Sequence, residues 1–232
     1  MNHQSNPARE ALPFTIELVT DAASLGAAVQ IRHSAYARHL PDVAKNMVDA
    51  DSWDFKDGTV VLVAKSKLDG APIGTMRIHT NEFASLPLEQ SYELPKELTQ
   101  LRLAEATRLG VTAERVGQVV TTALFKAYYL YCLETKIDVM VIAARRPVDR
   151  LYERILFKDV NPTDGYVPMA HVNGLPHRVL HFHVAQAHSL WQETKHPFGR
   201  FLFETEHPDI MVTPSCARLQ AASNEAVLAV RA

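Results

Sequence analysis

Residues 137–144 read IDVMVIAA, a nearly continuous apolar run. Such a run suits a central strand that is buried on both faces, because a half-exposed strand alternates apolar and polar residues. A long helix with an apolar side is predicted before it, over residues 113–135. A shorter helix is predicted after it, over residues 147–156, since Pro147 is well tolerated at a first helical position. This stretch predicts an α/β protein.

The pattern continues outward in both directions from this stretch. Upstream, period-two patterns predict strands over residues 14–20, 59–66, 73–80 and 101–111. A helix is predicted over residues 22–39, with Asp21 as its N-cap. Downstream, strands over residues 166–172 and 177–185 flank Asn173-Gly174, a strong hairpin signal. The order predicts an α/β (α+β) fold in which helices flank a mixed central sheet.

The chain predicts one domain, without an internal repeat or a linker that would divide it. Residues 1–12 are predicted to be disordered, and residues 13–212 to form the domain. Residues 213–232 are predicted to be a C-terminal tail, with a frayed alanine-rich helix over residues 218–232. A length of 232 residues is ample for one domain with its own core.

Composition excludes several classes of function. A formal charge of −2 gives no overall field for nucleic acid or an anionic membrane. No apolar run approaches the roughly 18 residues of a membrane span, and the first residues, MNHQSNPARE, lack the apolar core of a signal peptide. Two distant cysteines fit neither a disulfide framework nor a zinc site. We therefore expect a cytoplasmic protein without a metal, although His181 and His183 would share one face of a strand.

The order of elements resembles the GCN5-related N-acetyltransferase superfamily, and residues 151–160 (LYERILFKDV) resemble its tyrosine-containing helix and following strand. A more specific similarity is to the acyl-homoserine-lactone autoinducer synthases and the long-chain N-acyl amino acid synthases. Their ordered pattern places an Arg and an aromatic residue on the first helix, two acidic residues in a loop, an Arg on the third strand and a Glu-x-x-Arg on the fourth. The matching residues are Arg32, Tyr36, Asp51, Asp54, Arg77, Glu105 and Arg108.

This resemblance implies an acyltransferase domain that moves a medium or long fatty acyl chain from acyl carrier protein to the α-amino group of an amino acid. The autoinducer synthases carry a Trp where this chain has Asp42, which favours the N-acyl amino acid synthase branch. The expected co-substrate is an acyl-phosphopantetheine thioester, on carrier protein or on coenzyme A, and no permanently bound cofactor is expected. Three alternatives stay open: an acetyl-CoA-dependent N-acetyltransferase, an autoinducer synthase that uses S-adenosylmethionine, and a non-catalytic acyl-binding module.

Aminolysis of a thioester requires a neutral amine, so a general base is useful. We predict Glu105 in that role, with Arg77 and Arg108 as further catalytic residues. Glu105 and Arg108 would lie on opposite faces of a regular strand, so we also predict a β-bulge near Ala106-Thr107. Cys132, inside a predicted helix, is expected to pack as a small hydrophobe rather than to carry the acyl group.

Substrate binding is predicted for the remaining residues of the pattern. One ion-pair cluster could form from six residues: Arg32, Asp51, Asp54, Arg77, Glu105 and Arg108. This cluster would order the loop over the acceptor, and one Arg could pair with the acceptor's carboxylate. Backbone N–H groups at the end of the fourth strand would hold the oxyanion. The predicted binding residues are Arg32, Tyr36, Asp51, Asp54, Leu109, Gly110 and Val111.

The donor site lacks the glycine-rich phosphate loop of coenzyme A users. Residues 111–119 read VTAERVGQV, in which only Gly117 fits that signature and Glu114 would repel phosphate. A basic stripe on the helix after the fifth strand would instead receive the acidic carrier protein. The predicted docking residues are Arg145, Arg146, Arg150, Arg154 and Lys158. Chain length, acceptor and oligomeric state stay undetermined at this point.

Overall fold

The computed structural model describes residues 8–113 and 116–213. Its strands are β1 Ala8–Arg9, β2 Phe14–Leu18, β3 Thr59–Ser66, β4 Pro72–Thr80, β5 Leu103–Val111, β6 Val139–Ala144, β7 Lys158–Asp159, β8 Val167–Met169, β9 Leu175–His183, β10 Thr205–Glu206 and β11 Ile210–Met211. Its α-helices are α1 Ala22–Ala37, α2 Pro41–Ala44, α3 Lys96–Thr99, α4 Val116–Glu134, α5 Val148–Arg154 and α6 Ala187–Glu193. Short helical turns cover Ser52–Phe55, Pro87–Gln90, Ala170–Val172, Val184–Gln186 and Arg200–Glu204.

A mixed sheet forms the centre of the molecule, which confirms the predicted α/β fold. Among the described residues its strand order is β11-β2-β3-β4-β5-β6-β9-β7, with β8 on the edge of β9. From β2 to β5 each strand is antiparallel to the next, whereas β11 is parallel to β2 and β5 is parallel to β6. Strands β6 and β9 are antiparallel. Helix α4 joins the parallel pair, because the chain must return from the end of β5 to the opposite end of the sheet before β6 can run in the same direction.

Helices and turns cover both faces of the sheet. The α4 helix packs its apolar side, including Leu124 and Tyr128, on the face that carries Met76, Ile78 and Ile142. The opposite face is covered by α1 and by the long connection over residues 81–100. Strand β6 is therefore buried on both sides, as the run IDVMVIAA predicted.

The strands β5 and β6 pair only briefly and then part. Their register runs from Leu103 opposite Val139 to Glu105 opposite Val141 and ends there. Beyond that point, residues 106–111 of β5 stay paired with β4 while Ile142–Ala144 of β6 stay paired with β9. The divergence opens a groove through the sheet at the carboxyl ends of both strands.

A bulge interrupts the pairing of β4 with β5, but not where the sequence predicted it. Thr75 lies opposite Gly110 and Arg77 opposite Thr107, so Arg108 and Leu109 together face a single residue of β4. The predicted position near Ala106-Thr107 is therefore wrong, since that part of the ladder is regular. The bulge puts Arg108 at φ 56° and has the predicted effect of turning its side chain to the face that carries Arg77.

Other predicted boundaries need correction. Of the segment predicted to be disordered, residues 8–12 are placed, because β1 pairs with β10 and the Leu12 N–H donates to Asp209. Residues 1–7 and 214–232, with the predicted tail helix, lie outside the described residues. The helix after β6 begins at Val148, one residue after Pro147, so Arg146 precedes it. The predicted cap and hairpin are confirmed: Asp21 accepts from the Ser24 N–H at 2.8 Å, and Asn173 and Gly174 both have positive φ.

The chain after β9 is fixed to α4 by a buried lysine. Lys126 is 2% exposed, and its ammonium donates to the carbonyls of Phe201 and Thr205 and contacts His207 Nδ1 at 2.8 Å. Burial lowers its pKa to about 8. Three polar partners compensate for the burial of this charge and hold β10 against the helix.

Close contact between α4 and β4 predicts the effect of substitution at Gly74. A Cβ at this position would lie 2.4 Å from Val120 Cγ1 and 3.3 Å from Leu124 Cδ1. We expect Gly74→Ala to lower the free energy of unfolding by about 1–3 kcal/mol through overpacking, measured by urea denaturation. Gly26→Ala is the control: nothing lies within 4 Å of that Cβ, so alanine should stabilise α1 by up to about 1 kcal/mol. Equal stability of wild type and Gly74→Ala would contradict the packing.

Candidate active site

The groove between the parting strands is the best-formed cavity near the predicted site residues. It has a volume of about 290 Å³ and mostly apolar walls, and five parts of the chain form them. These are the end of α1, the second half of β5, the end of β6, α5, and the segment around β8 and β9, and Thr121 of α4 adds a sixth. Residues that matter below are Tyr36, Arg38, His39, Thr107, Arg108, Leu109, Gly110, Val111, Arg145, Leu151, Tyr152, Val172 and His177.

A buried carboxylate next to this groove joins three elements. Asp54 accepts two hydrogen bonds from the Arg32 guanidinium, at 2.9 and 2.8 Å, and one from Arg77 Nη1 at 3.0 Å. Its side chain is fully buried. Burial alone would raise the pKa of Asp54, but the bonds from Arg32 and the charges of both arginines outweigh it and lower the pKa to about 2. The carboxylate therefore stays ionised and ties α1, β4 and the 51–55 segment together.

Asp51 extends this cluster toward the groove. Its carboxylate accepts from Arg77 Nη1 at 2.6 Å and lies 3.8 Å from Arg108 Nη2. Asp51 and Asp54 also form a reciprocal capping box around the Ser52–Phe55 turn, with the Asp51 N–H donating to Asp54 at 2.9 Å. Of the predicted six-residue cluster, four side chains are in direct contact and Arg108 lies at the rim.

Arg108 is one of three arginines on the groove wall, and it is poorly paired. Its side chain is 11% exposed, and its nearest carboxylate is that of Asp51, 3.8 Å away. Its other contacts are weak: Met47 Sδ at 3.8 Å and the His171 carbonyl at 3.5 Å. The Nε atom is buried without a hydrogen bond. A buried guanidinium with unused donors can bind an anion that enters the groove.

Glu105, the predicted general base, does not line the groove. Its side chain is fully buried, and Oε2 accepts from the Leu88 N–H at 3.0 Å while Oε1 has no partner. Burial raises its pKa to about 8, against the opposing effects of the Leu88 N–H and Arg77. The long connection over residues 81–100 covers this carboxyl. The carboxyl therefore lies outside the groove, and its role as general base stays a prediction.

A buried chain of polar side chains beside Glu105 was not predicted. Hydrogen bonds join Thr59 Oγ1 to His79 Nδ1 at 2.9 Å and His79 Nε2 to Thr107 Oγ1 at 3.1 Å. Arg77 Nε donates to the same Thr107 hydroxyl at 3.4 Å. Burial and the charge of Arg77 lower the pKa of His79 to about 3, so its ring is neutral. Thr107 carries this network to the groove wall. The sequence signal for this network was the presence of Arg77 and His79 two positions apart on β4, which puts both polar side chains on one face of the strand.

The predicted docking residues do not form one stripe along a helix: Arg145 and Arg146 precede α5, Arg150 and Arg154 lie on it, and Lys158 lies on β7. Arg145 lines the groove, whereas Arg146, Arg150, Arg154 and Lys158 are exposed. Arg146 is not part of a helical stripe: it donates to the Tyr166 hydroxyl at 2.8 Å, with its guanidinium 4.9 Å from the ring centroid. The exposed cations of α5 make no ion pair with the described residues.

Two further features bear on the chemistry. Cys132 is fully buried on α4, and burial raises the pKa of its thiol, so it packs as a small hydrophobe as predicted. Within residues 8–113 and 116–213, no group of three or more His, Cys, Asp or Glu side chains is arranged to hold a metal ion. No helix in that part of the chain is long and apolar enough to cross a membrane.

Comparison with known proteins gives the family. The family model described as N-acyl amino acid synthase FeeM matches residues 27–175, which is well over half of the chain. The chain belongs to this FeeM family. It is accordingly an amide-forming N-acyltransferase, and the predicted resemblance is confirmed. A search of curated proteins finds no match.

Solved structures agree on the fold of this FeeM family member. The FeeM N-acyl amino acid synthase from uncultured soil microbes superimposes with a TM-score of 0.62 at 17% identity, covering 78% of this chain and 96% of that one. The CoA-dependent acyl-homoserine lactone synthase BjaI with SAM and isopentyl-CoA gives 0.51 at 15% identity, covering 89% and 99%. A GNAT-family acetyltransferase from Staphylococcus aureus Mu50 gives 0.50 at 11% identity, covering 74% and 99%.

Sequence reasoning missed much of the groove wall. Tyr36 and residues 109–111, predicted to bind substrate, do line the groove. Val172, His177, Leu151 and Tyr152 were not predicted there. Leu151 and Tyr152 come from α5, while the antiparallel register of β9 on β6 brings His177 to the groove.

The ion-pair cluster predicts a large effect at Asp54. Asp54→Asn leaves Arg32 and Arg77 buried without their shared carboxylate, so we expect a loss of about 3 kcal/mol or more of unfolding free energy at pH 7. The folded-state pKa of about 2 lies below the usual 3.8. The stabilisation is therefore present above pH 3.8 and is lost as the pH falls through 2.

Urea denaturation between pH 2 and pH 7 measures this difference. The gap between wild type and Asp54→Asn should narrow below about pH 4. Asp57→Asn is the matched control, since Asp57 is exposed, and should change stability by less than about 0.5 kcal/mol. A gap independent of pH would show that the charge of Asp54 is not what stabilises the cluster.

Proposed function

We propose that this protein is an N-acyl amino acid synthase, which transfers a medium or long fatty acyl chain from a phosphopantetheine thioester to the α-amino group of an amino acid. The observation that carries the proposal is Arg108, a groove-lining guanidinium whose nearest carboxylate is 3.8 Å away. None of the described residues lining the groove is acidic. An acceptor that brings its own carboxylate complements this wall.

The donor side of the groove supports a thioester with an apolar chain. Leu109, Val148 and Leu151 give this side an apolar surface, which suits burial of methylene groups. Beyond Glu105, the edge of β5 that faces β6 has no strand partner. Its free backbone groups can pair with the amides of pantetheine, and N–H groups of residues 109–111 stay our candidates for the oxyanion site.

A leaving thiolate requires a proton, and Tyr152 can supply one. This phenol lines the groove and is 4% exposed, and burial raises its pKa. It therefore keeps its proton at neutral pH and is placed on the α5 side of the groove, where the thioester would enter. In this proposal the acceptor occupies the Arg108 side and the donor occupies the Tyr152 side.

Acyl carrier protein is our proposed donor. Carrier protein is acidic, and Arg150 and Arg154 present exposed positive charge on α5, the helix whose Val148, Leu151 and Tyr152 line the groove, while the exposed Lys158 lies on β7. Such rim charges act mainly on encounter and orientation. The same groove could accept acyl-coenzyme A, so the two donors need to be compared directly.

Selectivity for a carboxylate tests the acceptor class. The purified full chain, supplied with acyl carrier protein or acyl-CoA of C2 to C18, should acylate amino acids in preference to their α-carboxamides. We expect Arg108→Gln to reduce that preference, measured as a ratio of kcat/KM, by about 10- to 100-fold, the range of a charge-assisted hydrogen bond. Equal use of acids and amides by wild type would refute an amino acid acceptor.

Arg38→Gln is the matched control for this experiment. Arg38 also lines the groove, but its guanidinium already donates to the Val111 carbonyl at 2.5 Å. The Arg38→Gln variant should therefore keep the wild-type preference for acceptors with a carboxylate. Loss of the preference in Arg38→Gln alone would assign the carboxylate to Arg38 instead of Arg108.

Charge reversal tests the carrier-protein donor. Arg150→Glu combined with Arg154→Glu should raise KM for acyl carrier protein about 10-fold, because like charges now repel at the docking surface, with kcat and the KM for acyl-CoA little changed. The difference should shrink at high salt. Lys96→Glu combined with Lys136→Glu, at exposed sites away from the groove, is the control. An equal rise for both donors would mean that these arginines bind the donor's phosphate rather than the carrier protein.

A further inference from the structure

The groove contains few side chains that can accept a proton near pH 7. Its ionisable residues are three arginines, two tyrosines and two histidines: Arg38, Arg108, Arg145, Tyr36, Tyr152, His39 and His177. Arginine and tyrosine hold their protons at this pH. With Glu105 outside the groove, a base in the described part of the wall is one of the two histidines.

His177 is held as a base would need to be. Its Nδ1 lies 2.8 Å from the Leu175 carbonyl, and a carbonyl only accepts hydrogen bonds, so the proton sits on Nδ1. The neutral ring then carries its lone pair on Nε2, which makes no hydrogen bond to the described residues. A backbone carbonyl that fixes the tautomer in this way prepares the other nitrogen for proton transfer.

The surroundings of His177 keep it neutral. The residue is 6% exposed, and burial together with the charge of Arg145 lowers its pKa, although the bond to Leu175 acts in the opposite direction. Arg108 lies across the groove, and the His171 ring is 6.4 Å away between centroids. His171 is itself kept neutral, since burial and Arg108 lower its pKa to about 4.

The position of His177 fits the acceptor side. It belongs to β9, one residue before Arg178, which pairs with Ala144 at the end of β6. Its side chain lies on the same face of the sheet as those of Val179 and His181, which is the face that carries Thr107 and the ion-pair cluster. His39, the other histidine, is exposed at the groove rim and has no hydrogen bond that would fix its tautomer.

We propose that His177 Nε2 is the general base that takes a proton from the acceptor's ammonium group. The neutral nitrogen then attacks the thioester carbon, the C–N bond forms and the C–S bond breaks. Tyr152 donates its proton to the leaving sulfur and takes the second nitrogen proton in return, and His177 releases the first to solvent. One ammonium and one thioester thus give an amide, a thiol and one proton. The inference rests on the proposed function for the acceptor's place in the groove, and the family match ends at residue 175.

The variant His177→Asn isolates the base. An asparagine amide can still donate to the Leu175 carbonyl from the position of Nδ1, but it offers no basic nitrogen. We expect kcat/KM at pH 7 to fall about 100-fold, at the low end of what general-base catalysis supplies. His188→Gln, at an exposed position outside the groove, is the matched control and should keep wild-type kinetics. Thermal unfolding of each variant verifies that the fold is intact.

The pH dependence separates a base from a residue that only shapes the groove. In wild type, log kcat/KM should reach a plateau above the lowered pKa of His177, well below the pKa of the free amine. In His177→Asn it should keep rising by about tenfold per pH unit toward the pKa of the amine, because only unprotonated acceptor reacts. A His177→Asn profile parallel to that of wild type would overturn the proposal.

A second acceptor removes the need for a base. An α-aminooxy acid carries the same carboxylate, but its nitrogen is unprotonated at neutral pH. We expect His177→Asn to lose less than about 5-fold on this acceptor while it loses about 100-fold on the amino acid. Equal losses on both acceptors would mean that His177 is structural.

Failure of the proposed function stays distinguishable from failure of this inference. If wild type acylates only amines without a carboxylate, the acceptor class is wrong. The same comparison then proceeds with that amine and the corresponding O-alkyl hydroxylamine, and it decides the role of His177 by the same criteria.

Discussion

The parting of β5 from β6 after Glu105 and Val141 is the constraint on which the site depends. Parallel strands of equal length would have continued their ladder and closed the sheet. Here the second half of β5 follows β4, and α1 packs directly on it: a Cβ at Gly110 would lie 3.1 Å from the Ala35 Cβ. The opening that results exposes the edge of β5 on one side of the groove, and β9 lies on the opposite side. The groove follows from that one divergence, and so do the positions of the proposed oxyanion site and the proposed base.

The buried ion pairs decide where α1 and the 51–55 segment lie. Burying one carboxylate with two guanidinium groups is expensive, and apolar side chains of similar volume could give comparable stability. What the charges add is geometry, because Asp54 satisfies Arg32 and Arg77 together only when helix, strand and turn are in one arrangement. That arrangement brings Tyr36 and Arg108 to the same groove. Arg108 stays available because the carboxylates of the cluster are already occupied by the other two arginines.

Much of the fold could be predicted from local pattern, and the site only in part. The run at residues 137–144, the Asp21 cap and the Asn173-Gly174 turn were confirmed because each depends on neighbouring residues alone. The clustering of Arg32, Arg77, Asp51 and Asp54 came from the family pattern. The covering of Glu105 by residues 81–100 could not be predicted, since strand parity gives the face of a side chain but not the loop that lies over it. His177 was missed because its partner across the groove depends on the pairing of β9 with β6, which no local signal contains.

The positive charge of the groove affects the acceptor's nitrogen as well as its carboxylate. Arg108 and Arg145 line the wall without an acidic residue among the described lining. A nearby cation disfavours a second one, so this wall lowers the pKa of a bound ammonium just as Arg145 lowers the pKa of His177. In water an amine is far more basic than imidazole, and proton transfer to a histidine would be strongly uphill. In the proposed complex the arginines of the groove would lower the pKa of the bound ammonium, which makes its proton easier to transfer. Arg108 can therefore hold the acceptor and make its amine easier to deprotonate.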